Sequence, residues 1–295
     1  MQRREFIESG SALLALALMS HSASASDRAH AAASAIQPIT LKNIVIGAGQ
    51  PKIIVPTTAS DSAAVKAFVA QQAKRPEPAV IELRLDVLDN THDTAALIDL
   101  TRDLYAMLPD KLLLVTFRTK AEGGKQAIDD QRYAALYRQL LREGQMDLLD
   151  IEMYRAAPLV EQLIELAHRQ RVRVILSSHD FQQTPAQAEI IARLRQQQAM
   201  GADILKIAAM PHDAGDVLRM MSATWEMRQR YAQRPLLTMS MGGLGALSRL
   251  AGELTGSALT FGMAGSASAP GQLEANDLNA ALALLHQSLN GEQNA

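Results

Sequence analysis

The chain has 295 residues, with Lys+Arg 29 against Asp+Glu 31 and no cysteine. A net charge of -2 without a basic block gives nucleic acid no electrostatic hold, and the missing thiols exclude disulfides, thiolate catalysis and cysteine-ligated zinc or iron–sulfur centres. At 48% hydrophobic and 20% charged residues, the composition is globular and suits one large α/β domain or two small ones.

Met1-Gln2-Arg3-Arg4-Glu5-Phe6-Ile7-Glu8 leads into an apolar run from Ala12 to Met19 and then Ala23-Ser24-Ala25. A short apolar stretch before an A-x-A site is the pattern of a cleavable signal, too short to span a bilayer. The paired arginines resemble a bacterial twin-arginine export signal. Residues 1–25 are therefore predicted to be a signal peptide passed to twin-arginine export machinery, giving a periplasmic protein with no stable membrane anchor. The alternative is a cytoplasmic protein with a fortuitous Arg-Arg pair. Residues 26–38 read as a flexible lead-in, and 39–295 as a single catalytic domain.

Ile39 to Ile46 alternates around Lys42 and Asn43 and predicts a short N-terminal β-hairpin. Strands follow at Ile53–Thr57, Ile81–Asp86, Leu112–Arg118, Leu148–Met153, Val172–His179, Ile204–Met210, Leu236–Met241 and Thr260–Gly262. Helical periodicity fills the gaps, at Ala59–Ala73, Asp93–Met107, Asp130–Glu143, Ala157–Gln170, Pro185–Gln198, Ala214–Tyr231, Leu244–Leu254 and Glu274–Leu289. Eight strand–helix units predict a parallel sheet closed into a (β/α)8 TIM barrel. An open doubly wound sheet is the alternative, but no G-x-G-x-x-G follows an early strand.

Lys206 stands in an apolar strand, Ala202-Asp203-Ile204-Leu205-Lys206-Ile207-Ala208-Ala209-Met210-Pro211. Ile204, Lys206 and Ala208 share one face, and burial of an amine there lowers its pKa and frees a nucleophile for a carbonyl. Polar residues gather toward the C-terminal ends of the neighbouring strands, where barrels place their chemistry. Glu82, Arg84 and Asp86 fall on one face, as do Asp150 and Glu152. Ser177-Ser178-His179-Asp180 closes the strand before that of Lys206, so His179 is the candidate proton-transfer group, with Glu122 to orient or charge it. Arg84, Arg118 and Arg249 are candidate anchors for an anionic substrate. Glu82, Asp86, Asp150, Glu152, His179 and Asp180 include metal-ligand types, but Lys206, Arg84 and Arg118 compete for the same carboxylates, so no metal site is assigned.

Taken in order, Glu82-Leu83-Arg84-Leu85-Asp86, Thr116-Phe117-Arg118 with Glu122-Gly123-Gly124, Ser178-His179-Asp180-Phe181, Leu205-Lys206-Ile207-Ala208, and Ser248-Arg249 with Ser268-Ala269-Pro270-Gly271-Gln272 resemble the type I 3-dehydroquinate dehydratases. The resemblance runs from about Ile39 to the last helix. It implies a barrel, usually homodimeric, that dehydrates 3-dehydroquinate to 3-dehydroshikimate without metal or cofactor. It also implies roles: Lys206 as imine-forming nucleophile, His179 as general acid–base and Glu122 as its partner. Glu82 and Arg84, with Arg118 nearby, would meet substrate hydroxyls, Arg249 the carboxylate, and Ser268 and Gln272 would lie in a closing loop.

Two positions depart from the family pattern. Pro56 stands where relatives commonly have serine, so a hydroxyl contact is lost or passes to Thr57; Ser178 stands where asparagine is common. An exported copy implies catabolism of quinate or shikimate rather than aromatic biosynthesis. Two rivals remain: a class I aldolase or transaldolase, with Gly242-Gly243 cradling a phosphate, and a non-catalytic exported binding protein.

Overall fold

The computed structural model describes residues 36–291. The export segment 1–25 and residues 26–35 of the lead-in lie outside the described residues. Residues 36–38, expected to be flexible, are instead docked: Ile36 is buried in the core and the Gln37 amide donates to Gln233 O at 3.0 Å.

The first elements form the expected hairpin. Strands β1 (Ile39–Leu41) and β2 (Ile44–Ile46) pair antiparallel around a turn in which Lys42 takes φ +49°. Lys42 Nζ donates to Leu108 O and Lys111 O and pairs with Asp147, which fastens the hairpin over the N-terminal mouth of the sheet. Ile39 and Ile46 join the inner core and plug that end.

Strand–helix units follow as β3 (Lys52–Pro56), α1 (Ser62–Ala73), β4 (Pro78–Arg84), α2 (Thr94–Met107), β5 (Leu112–Thr116), α3 (Asp130–Glu143), β6 (Leu148–Glu152) and α4 (Ala157–Arg169). The second half runs β7 (Arg173–Asp180), α5 (Gln187–Ala199), β8 (Ile204–Ala209), α6 (Ala214–Arg230), β9 (Leu236–Ser240), α7 (Ala246–Leu250), α8 (Gly252–Thr255), β10 (Leu259–Met263), β11 (Leu273–Glu274) and α9 (Ala275–Gly291). Aspartates 61, 93, 129 and 213 cap α1, α2, α3 and α6 by accepting the backbone N–H three residues on. Among the described residues no helix is long and apolar enough to cross a membrane.

The sheet order β11-β10-β3-β4-β5-β6-β7-β8-β9 is parallel throughout. The Ala258 amide donates to Leu236 O at 2.7 Å, bringing β9 against the start of β10 and closing a TIM-barrel-like fold. Two cores result from strand alternation. Ile54, Val80, Leu114, Leu148, Ile175, Ile204 and Leu237 fill the barrel; Val55, Ile81, Leu83, Val115, Leu149, Ile151, Leu205 and Ile207 pack outward against the helices.

The boundaries correct the expectation in four places. β4 stops at Arg84, and Asp86 lies in the following 3-10 turn Leu85–Val87 rather than on the strand's inner face. β5 stops at Thr116, because the Phe117 amide is taken by a side chain, Tyr137 Oη, at 2.8 Å. The helix expected over Leu244–Leu254 is broken into α7 and α8 at Ala251, with Gly252 packed so closely that a Cβ would sit 2.8 Å from Ser257 O. The two-residue strand β11 was not expected at all.

Candidate active site

The inward residues at the C-terminal ends of the strands enclose one cavity. Lys206, His179, Glu122, Glu82, Arg84, Arg118, Arg249, Ser268 and Gln272 all line it, so the structure brings every expected site residue together. Ala208, Phe181, Met239, Met241 and Phe261 form its apolar wall.

Lys206 is held from three sides. Its strand position puts its side chain inward, where it is 3% exposed. The buried Gln197 of α5 clamps its backbone, accepting from Lys206 N at 2.8 Å and donating to Lys206 O at 2.9 Å. Its Nζ pairs with Asp150 Oδ2 at 2.8 Å and lies 4.8 Å from the centre of the Phe261 ring. Burial lowers the amine's pKa; the Asp150 carboxylate pulls it back up in part, and Arg118 pushes it down again.

Arg118 is the hub of the charges. Its Nη2 donates to Asp150 Oδ1 at 2.6 Å, and its Nη1 to Glu152 Oε1 at 2.9 Å and Ser177 Oγ at 3.0 Å. Glu152 also receives the Thr119 amide and hydroxyl, both at 2.8 Å. Burial alone would raise the Asp150 carboxyl, but Arg118, Lys206 and His179 hold it far below the usual carboxylate range. Asp150 is therefore ionised whenever Lys206 is a partner. Arg84 is likewise occupied on one edge, bidentate to Asp86 at 2.9 Å through Nε and Nη2. Asp86 in turn accepts the Arg118 and Lys125 amides, so it shapes the loop instead of facing the cavity.

His179 Nδ1 lies 2.8 Å from Glu122 Oε2, which leaves Nε2 as the free ring nitrogen. Burial, followed by the charges of Arg118 and Lys206, pushes the imidazole well below its ordinary value. Burial also pushes the Glu122 carboxyl up to about 8, against the pull of Arg118. Burial thus disfavours the charged form of both partners, and the two groups titrate as a coupled pair. Gly123, at φ +86°, lies under Phe181 so closely that a Cβ would meet the ring at 2.2 Å, which ties the Glu122 loop to the end of β7.

Arg249 is different from the other arginines. It is 1% exposed, and among the described residues its guanidinium meets only Met239 Sδ at 3.4 Å and Pro270 O at 3.2 Å, with Nε unpartnered. Burial pushes its pKa down to about 10. An uncompensated buried cation facing a cavity is a seat for an anion. The loop after β10 closes the site: Ser268 N donates to Gln272 Oε1 at 2.8 Å and Gln272 Nε2 to Ser268 Oγ at 3.0 Å.

Two expectations are sharpened by these contacts. Thr57 Oγ1 accepts the Arg84 amide at 3.1 Å and does not line the cavity, so it does not put back the hydroxyl that Pro56 lacks. The Gly242 amide donates to Pro270 O at 3.1 Å, so this glycine's donor serves the closing loop instead of a phosphate. The roles of Asp150 as partner of Lys206, and of Gln197, Ser177 and the apolar wall, were not assigned from sequence. Asp150 left a signal there through its alternation with Glu152, and Ala208 through sharing the Lys206 face; Gln197 left none.

A profile of the family described as type I 3-dehydroquinase matches residues 53–289. The 3-dehydroquinate dehydratase of Escherichia coli O1:K1 / APEC is 44% identical over 253 residues, covering 86% of this chain and 100% of that protein. The 3-dehydroquinate dehydratase of Enterococcus faecalis (strain ATCC 700802 / V583) is 45% identical over the same shares of the two chains. Among solved structures, a type I 3-dehydroquinate dehydratase from Clostridium difficile with covalently modified comenic acid superposes with a TM-score of 0.83 at 40% identity, covering 86% of this chain and 99% of that one.

Proposed function

The chain belongs to the type I 3-dehydroquinase family, and on that premise we propose how its own residues convert 3-dehydroquinate to 3-dehydroshikimate. Free Lys206 Nζ adds to the substrate ketone, and loss of water gives an imine. The imine is an electron sink, which acidifies the neighbouring C–H. His179 Nε2 takes that proton as general base and then returns it to the departing hydroxyl, which leaves as water. Hydrolysis of the imine restores the amine and releases product, so the net change is the loss of one water. Glu122 shares the proton of His179, and Asp150 and Arg118 fix the amine in place. Arg249 takes the carboxylate, Glu82 and Arg84 meet hydroxyls, and Ser268 and Gln272 close over the substrate to exclude water.

The observation that carries this reading is the buried Arg249 guanidinium, which has no carboxylate partner among the described residues, in the same cavity as Lys206 and the His179–Glu122 dyad. A carboxylate-bearing ketone satisfies both ends. Incubation with 3-dehydroquinate should produce the ultraviolet absorbance of a conjugated enone, with no cleavage of phosphorylated sugars. Aldol cleavage of the sugars without dehydration overturns the assignment.

The export reading is part of the same proposal. Arg3-Arg4, the apolar run and Ala23-Ser24-Ala25 precede the residues matched by the family profile, and they support transport to the periplasm and, with it, a catabolic role on quinate or shikimate. Fractionated cells should hold wild-type activity in the periplasm and Arg3→Lys, Arg4→Lys activity in the cytosol. Wild-type activity confined to the cytosol contradicts it.

A further inference from the structure

Two tyrosines on the helix side of the barrel reach the backbone that carries the charged cluster. Tyr133 and Tyr137 stand one turn apart on α3, both buried, with ring centres 4.4 Å apart. The β5–β6 ladder ends at the pair Thr116 and Asp150. Beyond it, Tyr137 Oη accepts the Phe117 amide at 2.8 Å and donates to Asp150 O at 2.8 Å. One phenol therefore bridges the two strands where the ladder gives out. Tyr133 Oη adds a longer bond, accepting the Glu152 amide at 3.2 Å.

The residues on either side of this bridge are those that set the state of Lys206. Arg118 follows Phe117, and its fork spans Asp150 and Glu152. Asp150 carries the carboxylate 2.8 Å from Lys206 Nζ. The separation of β5 from β6 at this level thus fixes both the Arg118–Asp150 contact and the reach of Asp150 to the amine. A bond of 2.8 Å on each side of one oxygen leaves little freedom in that separation. Lys206 is also faced by Glu82 from β4, Arg118 and Glu122 from the loop after β5, and His179 from β7. None of these is tied to α3 except through Arg118.

We infer that Tyr137 is a positioning residue for the imine chemistry, its hydroxyl spacing β5 and β6 so that Asp150 stays in contact with Lys206. The inference rests on Lys206 as the imine-forming group. Tyr137→Phe keeps the ring and removes both hydrogen bonds. With Asp150 released, the amine loses the carboxylate that favours its charged form, so free amine persists to lower pH. The variant should lower kcat at least about tenfold, leave KM within about twofold because Arg249 and the loop after β10 are untouched, and move the acid limb of borohydride-trapped imine formation to lower pH.

A structural role alone would lower the melting temperature and leave that limb where it is. A folded Tyr137→Phe with wild-type kcat and an unmoved limb overturns the inference. If Tyr137→Phe does not fold, Asp150→Asn, which removes the carboxylate that Tyr137 holds beside Lys206, must move the limb in the same direction, and an unmoved limb there overturns the inference equally. Failure to trap an imine on wild-type Lys206 instead removes the reading on which both rest.

Discussion

Replacing Arg249 by methionine should make the protein more stable and nearly blind to its substrate. The guanidinium is 1% exposed, faces no carboxylate among the described residues and has its pKa pushed by burial from 12.5 to about 10. That displacement corresponds to about 3 kcal/mol of disfavour for the charged form in the fold. The hydrogen bonds to Pro270 O and Met239 Sδ return about 1 kcal/mol. Methionine fills the space with a flexible apolar chain, so Arg249→Met should gain about 2 kcal/mol. For a chain of this size that raises Tm by about 3–4 °C. The same change removes the guanidinium proposed to hold the substrate carboxylate, where charge-assisted hydrogen bonds contribute about 1.5–3 kcal/mol, so KM should rise roughly 10- to 150-fold. Thermal melts and steady-state kinetics on the two proteins decide the matter. A variant that melts lower than wild type, or that keeps KM within about twofold, refutes the reasoning that Arg249 is an uncompensated cation reserved for an anion.

Other perturbations follow from the same geometry. His179→Ala should slow dehydration at least about a hundredfold, as for a lost general acid–base; near-normal turnover contradicts the assignment. Glu122→Gln should become more stabilising relative to wild type as pH rises. The raised carboxyl contributes stability that is full below pH about 4.5 and lost as pH climbs toward about 8, so melts at pH 5 and pH 9 should diverge, and parallel melts speak against it. Gly271→Ala should raise KM about tenfold with the barrel's Tm nearly unchanged, because the residue sits at φ +76° and a Cβ would come within 2.0 Å of Gly242 O, holding the closing loop open. An unaltered KM shows that the loop seats without that contact.

Much of this arrangement is legible in the sequence, and for a reason. Inward and outward faces alternate with a period of two, so Ile204, Lys206 and Ala208, or Glu82 and Arg84, can be assigned to the cavity side before any packing is known. Barrel closure then puts successive strand ends around one mouth. Partner choice across the mouth is less accessible. Ser177 is level with both Lys206 and Glu152 in the ladders, yet the salt bridge runs to Asp150, because strands in a barrel tilt and bring residues at different levels together. Strand ends were overrun at Arg84 and Thr116 because local hydrophobic pattern continues where a turn or the Tyr137 hydroxyl has already ended the ladder. Gln197 and Tyr137 left no signal, since a buried polar side chain on an amphipathic helix reads as a break in pattern until its backbone partner is known.

The central claim is that Lys206 forms the imine. Borohydride reduction in the presence of 3-dehydroquinate, followed by peptide mass mapping, tests it most directly. The account predicts one stable adduct, on Lys206, and none in Lys206→Ala, which should also lose turnover. Turnover without an adduct at Lys206, or a Lys206→Ala protein that dehydrates at the wild-type rate, contradicts it.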